Sequence, residues 1–283
     1  MPNILKTTTP RYRPPLKWAG NKYQILDQIK ARLPQASRLI EPFAGSGALF
    51  LNTDFNHYLL NDINSDLIDF YLMLQKDGQS FIAYAQKFFT DKYNDKTAYY
   101  DLREKFNATK SKRLKAALFL YLNRHGYNGL CRYNSSGQYN VPFGSYKRPY
   151  FPTRELSLFA AKSQGIKFTN KNFFIVMQEA RHGDIVYCDP PYTPLSTTAN
   201  FTTYSAGGFN MEQHVALATM AEDLAEQGIP VLISNHNTIS TRKLYASANV
   251  HKFQVRRMIS RDGGKRNMAN ELLAVFSSCK ERK

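Results

Sequence analysis

Asp189-Pro190-Pro191-Tyr192 brings a carboxylate, a rigid pair of prolines and an aromatic face into consecutive positions of a 283-residue chain. An exocyclic amine on a nucleobase is a poor nucleophile because its lone pair is delocalised into the ring. A carboxylate accepting one N–H, with a carbonyl of the Pro-Pro backbone accepting the other, draws that nitrogen toward sp³. The Tyr192 ring then offers a face on which such a base stacks. Two further segments complete the set. Glu41-Pro42-Phe43-Ala44-Gly45-Ser46-Gly47 is a glycine turn through which backbone can approach a ligand closely, and Asp62 is an acid able to accept from both hydroxyls of a ribose. Asp62 is equally suited to capping the helix that follows it. The turn lacks the third glycine of a dinucleotide fingerprint, which argues against a nicotinamide enzyme.

The elements around these residues set their positions. The apolar segment 38–43 reads as a strand ending at the glycine turn, with a helix over 48–55. A second strand at Tyr58-Leu59-Leu60 stops at Asn61-Asp62, and a helix follows over 63–74. This βαβα start predicts a doubly wound, mostly parallel sheet. After Lys76 the alternation is lost for some eighty residues, where a hairpin is expected around Ser135-Ser136-Gly137. It resumes with Asp184–Cys188, which the Pro pair must terminate. Leu217, Met220, Ala221 and Leu224 carry helical spacing, Gly228 stops that helix, and Ile229–Ile233 is the next strand. Segments 250–259 and 271–276 read as a closing antiparallel pair.

Lys and Arg number 38 against 22 Asp and Glu, a net charge of +16. That excess points to a polyanionic partner. Between Lys105 and Arg154 stand ten basic residues, no acid and ten aromatics, a mixture suited to holding phosphates and stacking on bases. A second basic group, Arg256, Arg257, Arg261, Lys265 and Arg266, surrounds the last turn and reads as a further backbone contact. Cys131, Cys188 and Cys279 are too few and too widely spaced for a disulfide framework or zinc site, and the six histidines suggest no metal. No segment approaches the length of a membrane span, and residues 1–15 form a polar tail without a secretory core. The cytoplasm is the expected compartment.

Together with Leu16-Lys17-Trp18-Ala19-Gly20-Asn21-Lys22, these segments resemble the Dam-type DNA adenine-N6 methyltransferases. The resemblance runs from about Leu16 to Phe276 and includes 120–133 (LYLNRHGYNGLCRY), Val141-Pro142-Phe143-Gly144, 185–192 and 233–235. It implies a Rossmann-like α/β methyltransferase sheet with an antiparallel edge. The catalytic domain would comprise 16–75 and 156–283, and 76–155 would be an inserted helical and β-hairpin target-recognition domain. The implied cofactor is S-adenosylmethionine, enclosed by Trp18, Ala19, Gly20, Lys22, Glu41, Phe43, Gly45, Gly47 and Asp62, with Asp189 alongside. Asp189, Pro190, Pro191 and Tyr192 would be the catalytic tetrad.

The implied partner is double-stranded DNA, methylated at N6 of a flipped adenine with GATC as the expected site. Its contacts map onto Lys17, Arg124, Tyr127, Asn128, Leu130, Arg132, Pro142 and Lys147. Arg132 would read a guanine edge, Leu130 and Pro142 would touch thymine methyls, and Tyr127 would wedge into the stack. One subunit per methyl transfer makes a monomer the simpler expectation. Two positions depart from the family's pattern. Asn21 replaces the second glycine of an Ala-Gly-Gly-Lys turn, and Ser145 stands where bacterial members tend to have Arg. The alternatives are cytosine-N4 methylation by the same amine chemistry, RNA as substrate, or a binding protein without turnover. RNA fits least, because its deep, narrow major groove hides the base edges a hairpin would read.

Overall fold

The structure is a computed structural model and describes residues 11–192, 209–256 and 268–278. Seven strands form one sheet: β1 (Arg38–Glu41), β2 (His57–Asn61), β3 (Lys167–Thr169), β4 (Asp184–Cys188), β5 (Val231–His236), β6 (Asn249–Arg256) and β7 (Met268–Phe276). Their order is β3-β2-β1-β4-β5-β7-β6. Pairings among β3, β2, β1, β4 and β5 are parallel, whereas β7 runs antiparallel to both β5 and β6. This is the mostly parallel sheet with an antiparallel edge that the βαβα rhythm and the closing pair predict. Arg257, Arg261, Lys265 and Arg266 of the second basic group lie outside the described residues, as do Cys279 and residues 1–10.

Side-chain alternation along the strands divides the core into two layers, one on each face of the sheet. Leu39, Leu60, Ile185, Tyr187, Leu232 and Leu273 belong to one apolar cluster, and Ile40, Leu59, Val186, Cys188, Val231, Ile233 and Leu272 to the other. The first layer is covered by α1 (Leu26–Lys30), α2 (Ala48–Leu51), α3 (Ser65–Gln86), α4 (Lys96–Ala108), α5 (Lys112–His125) and α6 (Thr153–Lys162). The second is covered by α7 (Phe173–Met177) and α8 (Met211–Glu226), with Tyr245 after α9 (Ile239–Leu244). Each fully buried aromatic or aliphatic side chain contributes roughly 1.5–3 kcal/mol. Tyr71 and Phe159 stack at 4.4 Å and fasten α3 to α6. Among the described residues, no helix is long and apolar enough to cross a membrane.

Several boundaries differ from the sequence expectations for local reasons. The first strand ends at Glu41, because Pro42 has no N–H to donate. The helix after the glycine turn ends at Leu51, where the Asn52 amide takes over. Its Nδ2 donates to the carbonyls of Ala48 and Tyr12 and its Oδ1 accepts from Tyr12 N, each at 2.8 Å. Residues 11–15 are therefore docked rather than trailing. The helix expected over 63–74 runs on as α3 to Gln86, bending at Gly78, so position 76 falls inside it. α5 packs against α3 and α4 and is buried from Ala116 to His125. The hairpin forms as one bridge, Tyr133 to Tyr139, with its turn closed by Gly137 N donating to the Asn134 carbonyl at 2.9 Å and by the Asn134 side chain accepting from the N–H groups of Ser136 and Gln138.

One ion pair ties the starts of β1 and β4 together. Arg38 grips Asp184 through Nε at 3.0 Å and through Nη2, and Asp184 also accepts from Arg181 N at 2.7 Å. Arg38 side chain exposure is 24% and Asp184 only 8%. Arg38→Met should cost about 2–3 kcal/mol by leaving a buried carboxylate uncompensated, and adding Asp184→Asn should recover part of that loss; urea unfolding of both variants reads it.

Candidate active site and nucleic-acid interface

Three carboxylates converge at the carboxyl ends of three neighbouring strands: Glu41 on β1, Asp62 after β2 and Asp189 after β4. A concavity there is lined by Trp18, Asn21, Lys22, Glu41, Phe43, Ala44, Gly45, Ser46, Ala48, Leu49, Tyr187 and Asp189. The structure thus gathers Trp18, Lys22, Glu41, Phe43, Gly45 and Asp189 of the expected cofactor set around one space, whereas Ala19, Gly20, Gly47 and Asp62 stand outside its lining. Gly45 has a φ of +48°, and a Cβ there would sit 2.9 Å from Trp18 Nε1, so both conformation and space call for glycine. Tyr71 donates to the Gly45 carbonyl at 2.6 Å and holds the turn from α3. Gly47 abuts the Phe159 ring at the start of α2, and Phe43 stacks on Phe173 at 5.4 Å.

Asp62 shares its two oxygens between Gly45 N at 3.0 Å and Asn64 N at 2.9 Å. It does not cap α3; Asn64 does, accepting from Leu67 N at 3.1 Å. Each Asp62 oxygen keeps a further lone pair for a ligand hydroxyl. Asn61, absent from the sequence candidates, orients this corner by donating to the Pro42 and Lys171 carbonyls at 2.9 Å.

The turn carrying Asn21 shows no strain from the missing glycine. The left-handed position is Gly20, with φ +75°, whereas Asn21 lies at φ −56° and caps the following turn by accepting from Tyr23 N at 3.1 Å. Ala19, half-exposed, leads into this turn. Lys22 is buried, with its ammonium 2.5 Å from the Gly20 carbonyl, 2.7 Å from Asp189 Oδ1 and 4.6 Å from the centre of the Tyr192 ring. One cation therefore touches both ends of the tetrad. Pro190 is buried and Pro191 half-buried between those ends. The Tyr192 hydroxyl donates to Glu271 Oε2 at 3.1 Å, and its ring meets His236 edge-on at 4.5 Å. Sequence reasoning passed over Glu271 and His236; the available signal was a lone acid beside the apolar run Leu272–Phe276.

The surface candidates sit on a loop cluster beyond α5. Asn123 accepts from Lys17 N at 2.9 Å and donates to the carbonyls of Lys17 at 2.7 Å and Gly129 at 3.2 Å, so the Trp18 segment and the 126–130 loop hang on one side chain. The Lys17 ammonium lies 4.1 Å from the Tyr146 ring centre, and Asn128 N donates to the Tyr146 hydroxyl at 2.9 Å. Tyr127 is 51% exposed and its N–H donates to the carbonyl of the exposed Pro142 at 2.9 Å. Arg132 uses Nε and Nη2 to hold Asn140, at 2.8 and 3.1 Å, beside half-buried Leu130. Lys147 and Ser145 are exposed. Arg124 is the exception, because it is buried and donates to the Pro15 carbonyl, a placement that secures the N-terminal segment rather than meeting a phosphate.

Burial shapes the electrostatics. It raises Glu41 to about 8, assisted by the Asp189 charge and opposed by the Phe50 N–H. It raises Asp62 to about 6 against the N–H groups of Asn64 and Gly45, and Asp189 to about 6 against the Lys22 charge. Glu41 Oε1 is buried without a hydrogen-bond partner. A carboxyl whose folded pKa lies above its unfolded value stabilises the fold while protonated and loses that contribution as pH rises toward the folded value. Glu41→Gln should therefore gain on the parent protein between pH 5 and about 8 in the absence of ligand, as read by thermal unfolding at both ends.

Residues 18–259 match the family described as D12 class N6 adenine-specific DNA methyltransferase. The DNA adenine methylase of Vibrio cholerae is 50% identical over 263 residues, covering 93% of this chain and 95% of its own. That of Escherichia coli K12 is 51% identical over 261 residues, covering 92% and 94%. Among solved structures, an rRNA methyltransferase of Streptomyces viridochromogenes is similar at 11% identity with a TM-score of 0.38, covering 95% of this chain and 88% of that one. With the tetrad at the end of β4 and a family match over most of its length, this chain belongs to the D12 class of N6 adenine-specific DNA methyltransferases.

Proposed function

We propose that the enzyme methylates adenine N6 within GATC in duplex DNA, rotating the target base out of the helix to stack on Tyr192 with its amine at Asp189. The observation that carries this reading is the pairing of a desolvated Asp189 with the Tyr192 face, both in reach of one Lys22 cation. A base already stacked in a duplex could not reach a carboxylate so placed. The 126–132 loop and Pro142 support the choice of site. Tyr127 is exposed for insertion, and after holding Asn140 the Arg132 guanidinium keeps both Nη1 protons and one on Nη2 for a guanine edge.

The family implies S-adenosylmethionine as methyl donor, and the residues present fit it. The unpartnered Glu41 Oε1 suits an ammonium, the remaining lone pairs of Asp62 suit ribose hydroxyls, and Trp18 walls the cradle that a Cβ at Gly45 would fill. When bound, that cofactor supplies an activated methyl group, so alignment of the reacting atoms dominates the rate. Asp189 accepts an N–H of the amine, a Pro-Pro carbonyl accepts the other, and Tyr192 fixes the base plane. The amine proton becomes acidic only as the new C–N bond forms, so hydrogen-bond acceptance precedes proton loss. Cys188 is buried with its thiol raised by burial and takes no part.

We read 76–155 as the segment that recognises DNA and the enzyme as a monomer on its site. Methylation of a random-sequence duplex library, followed by site-resolved readout and mass spectrometry of the digested product, should yield N6-methyladenine at GATC. N4-methylcytosine, or adenine methylation without GATC preference, would overturn the reading. Asp189→Ala should lower the methylation rate by at least about 10³-fold while duplex affinity stays within a fewfold. Because the working form of Asp189 is ionised, the rate should fall as pH drops below about 6. Removing the cation that favours ionisation, by Lys22→Met at saturating cofactor, should move that acid limb upward.

A further inference from the structure

Tyr192 must present its ring in one plane for a base to stack with its amine at Asp189, yet the prolines before it constrain backbone and leave the ring free to turn. Two neighbours outside the tetrad act on that freedom. The hydroxyl donates to Glu271 Oε2 at 3.1 Å, pinning the far end of the ring, and the His236 ring meets it at 73° with centroids 4.5 Å apart. Glu271 and His236 face each other in the antiparallel register of β7 and β5, so the sheet itself sets their separation. Glu271 is half-buried where β7 turns apolar, with Leu272 and Leu273 fully buried after it. Burial first, then the charges of Asp189 and Glu271, push the Tyr192 phenol upward, which keeps it a donor.

We propose that Glu271 is a positioning residue for methyl transfer: by accepting a hydrogen bond from the Tyr192 hydroxyl it holds the ring in the plane that delivers a stacked adenine amine to Asp189. Lys22, on the ring's face, and Glu271, at its edge, then constrain complementary motions of one side chain. This inference rests on the base-flipping reading. A merely structural acid in β7 would affect stability whatever residue 192 is, whereas a positioning acid acts only through that hydroxyl.

The test is a double-mutant cycle under single turnover, at saturating cofactor and GATC duplex, on the parent enzyme, Tyr192→Phe, Glu271→Leu, Glu271→Gln and Tyr192→Phe/Glu271→Leu. Thermal unfolding is recorded for each. Permanganate oxidation of the thymine opposite the target adenine reports flipping independently of the stack. Glu271→Leu should slow methylation by about tenfold or more with duplex affinity unchanged within about twofold. Glu271→Gln, which keeps an acceptor oxygen, should recover most of that loss. In the Tyr192→Phe background Glu271→Leu should add less than about twofold, because the interaction is already gone. A full Glu271→Leu effect in that background, or a rate within about twofold of the parent enzyme's, would overturn the inference and leave base flipping standing. Absence of permanganate reactivity with the parent enzyme would overturn the flipping reading and this inference with it.

Discussion

Three buried carboxyl groups placed side by side form the constraint on which the site depends. Glu41, Asp62 and Asp189 end adjacent strands because the sheet order β2-β1-β4 leaves their carboxyls nowhere else to go. Desolvating a carboxylate is costly unless protons, hydrogen bonds or cations compensate. The chain uses all three. Glu41 leans toward its neutral form, Asp62 takes two backbone N–H groups, and Asp189 takes the Lys22 ammonium. What remains incompletely answered, above all Glu41 Oε1, is a standing attraction for a cationic or donor-rich ligand.

That arrangement needs rigid surroundings, and the fold supplies them by polar stitching as much as by apolar packing. Asn61 bridges the ends of β1 and β3, Tyr71 reaches from α3 to the glycine turn, and Asn64 both caps α3 and donates to Cys131 Sγ at 3.3 Å. Asp66, two residues later, accepts from the Tyr133 hydroxyl at 2.7 Å and pairs with Lys115 at 2.8 Å. The first turn of α3 thus braces the loop that carries Arg132, while the second apolar layer holds Phe43 from the other face through Phe173.

Much of the sheet was legible in the amino-acid order because buried parallel strands are short, apolar and stopped by recognisable residues. The Pro190-Pro191 pair marks a strand end as clearly as the runs mark strands, whereas the stop that Pro42 imposes was read through. The glycine turn and the tetrad were visible for the same reason, since their chemistry is local. Whatever depends on a distant partner was not. α3 runs through Lys76 because α5 and α6 pack on it, and the polar stretch 75–80 with Gly78 inside it separates two periodic halves that the sequence does not join. Arg124 read as a surface cation and lies buried under Pro15, and Glu271 acquires meaning only when the β5–β7 register brings it to Tyr192.

The Asn123 side chain carries a consequence for any attempt to re-engineer this enzyme. It fastens the Lys17 peptide and the Gly129 carbonyl to one point on α5, and five residues after Lys17 comes the cation that touches the tetrad. A 126–130 loop grafted alone from a relative would therefore arrive without the strut that aligns it with the segment carrying Trp18 and Lys22. Retargeting by transplantation must move Leu16–Lys22, Asn123 and the 126–130 loop as one piece, since in this molecule the loop proposed to read sequence and the segment that carries Lys22 to Asp189 hang on one side chain.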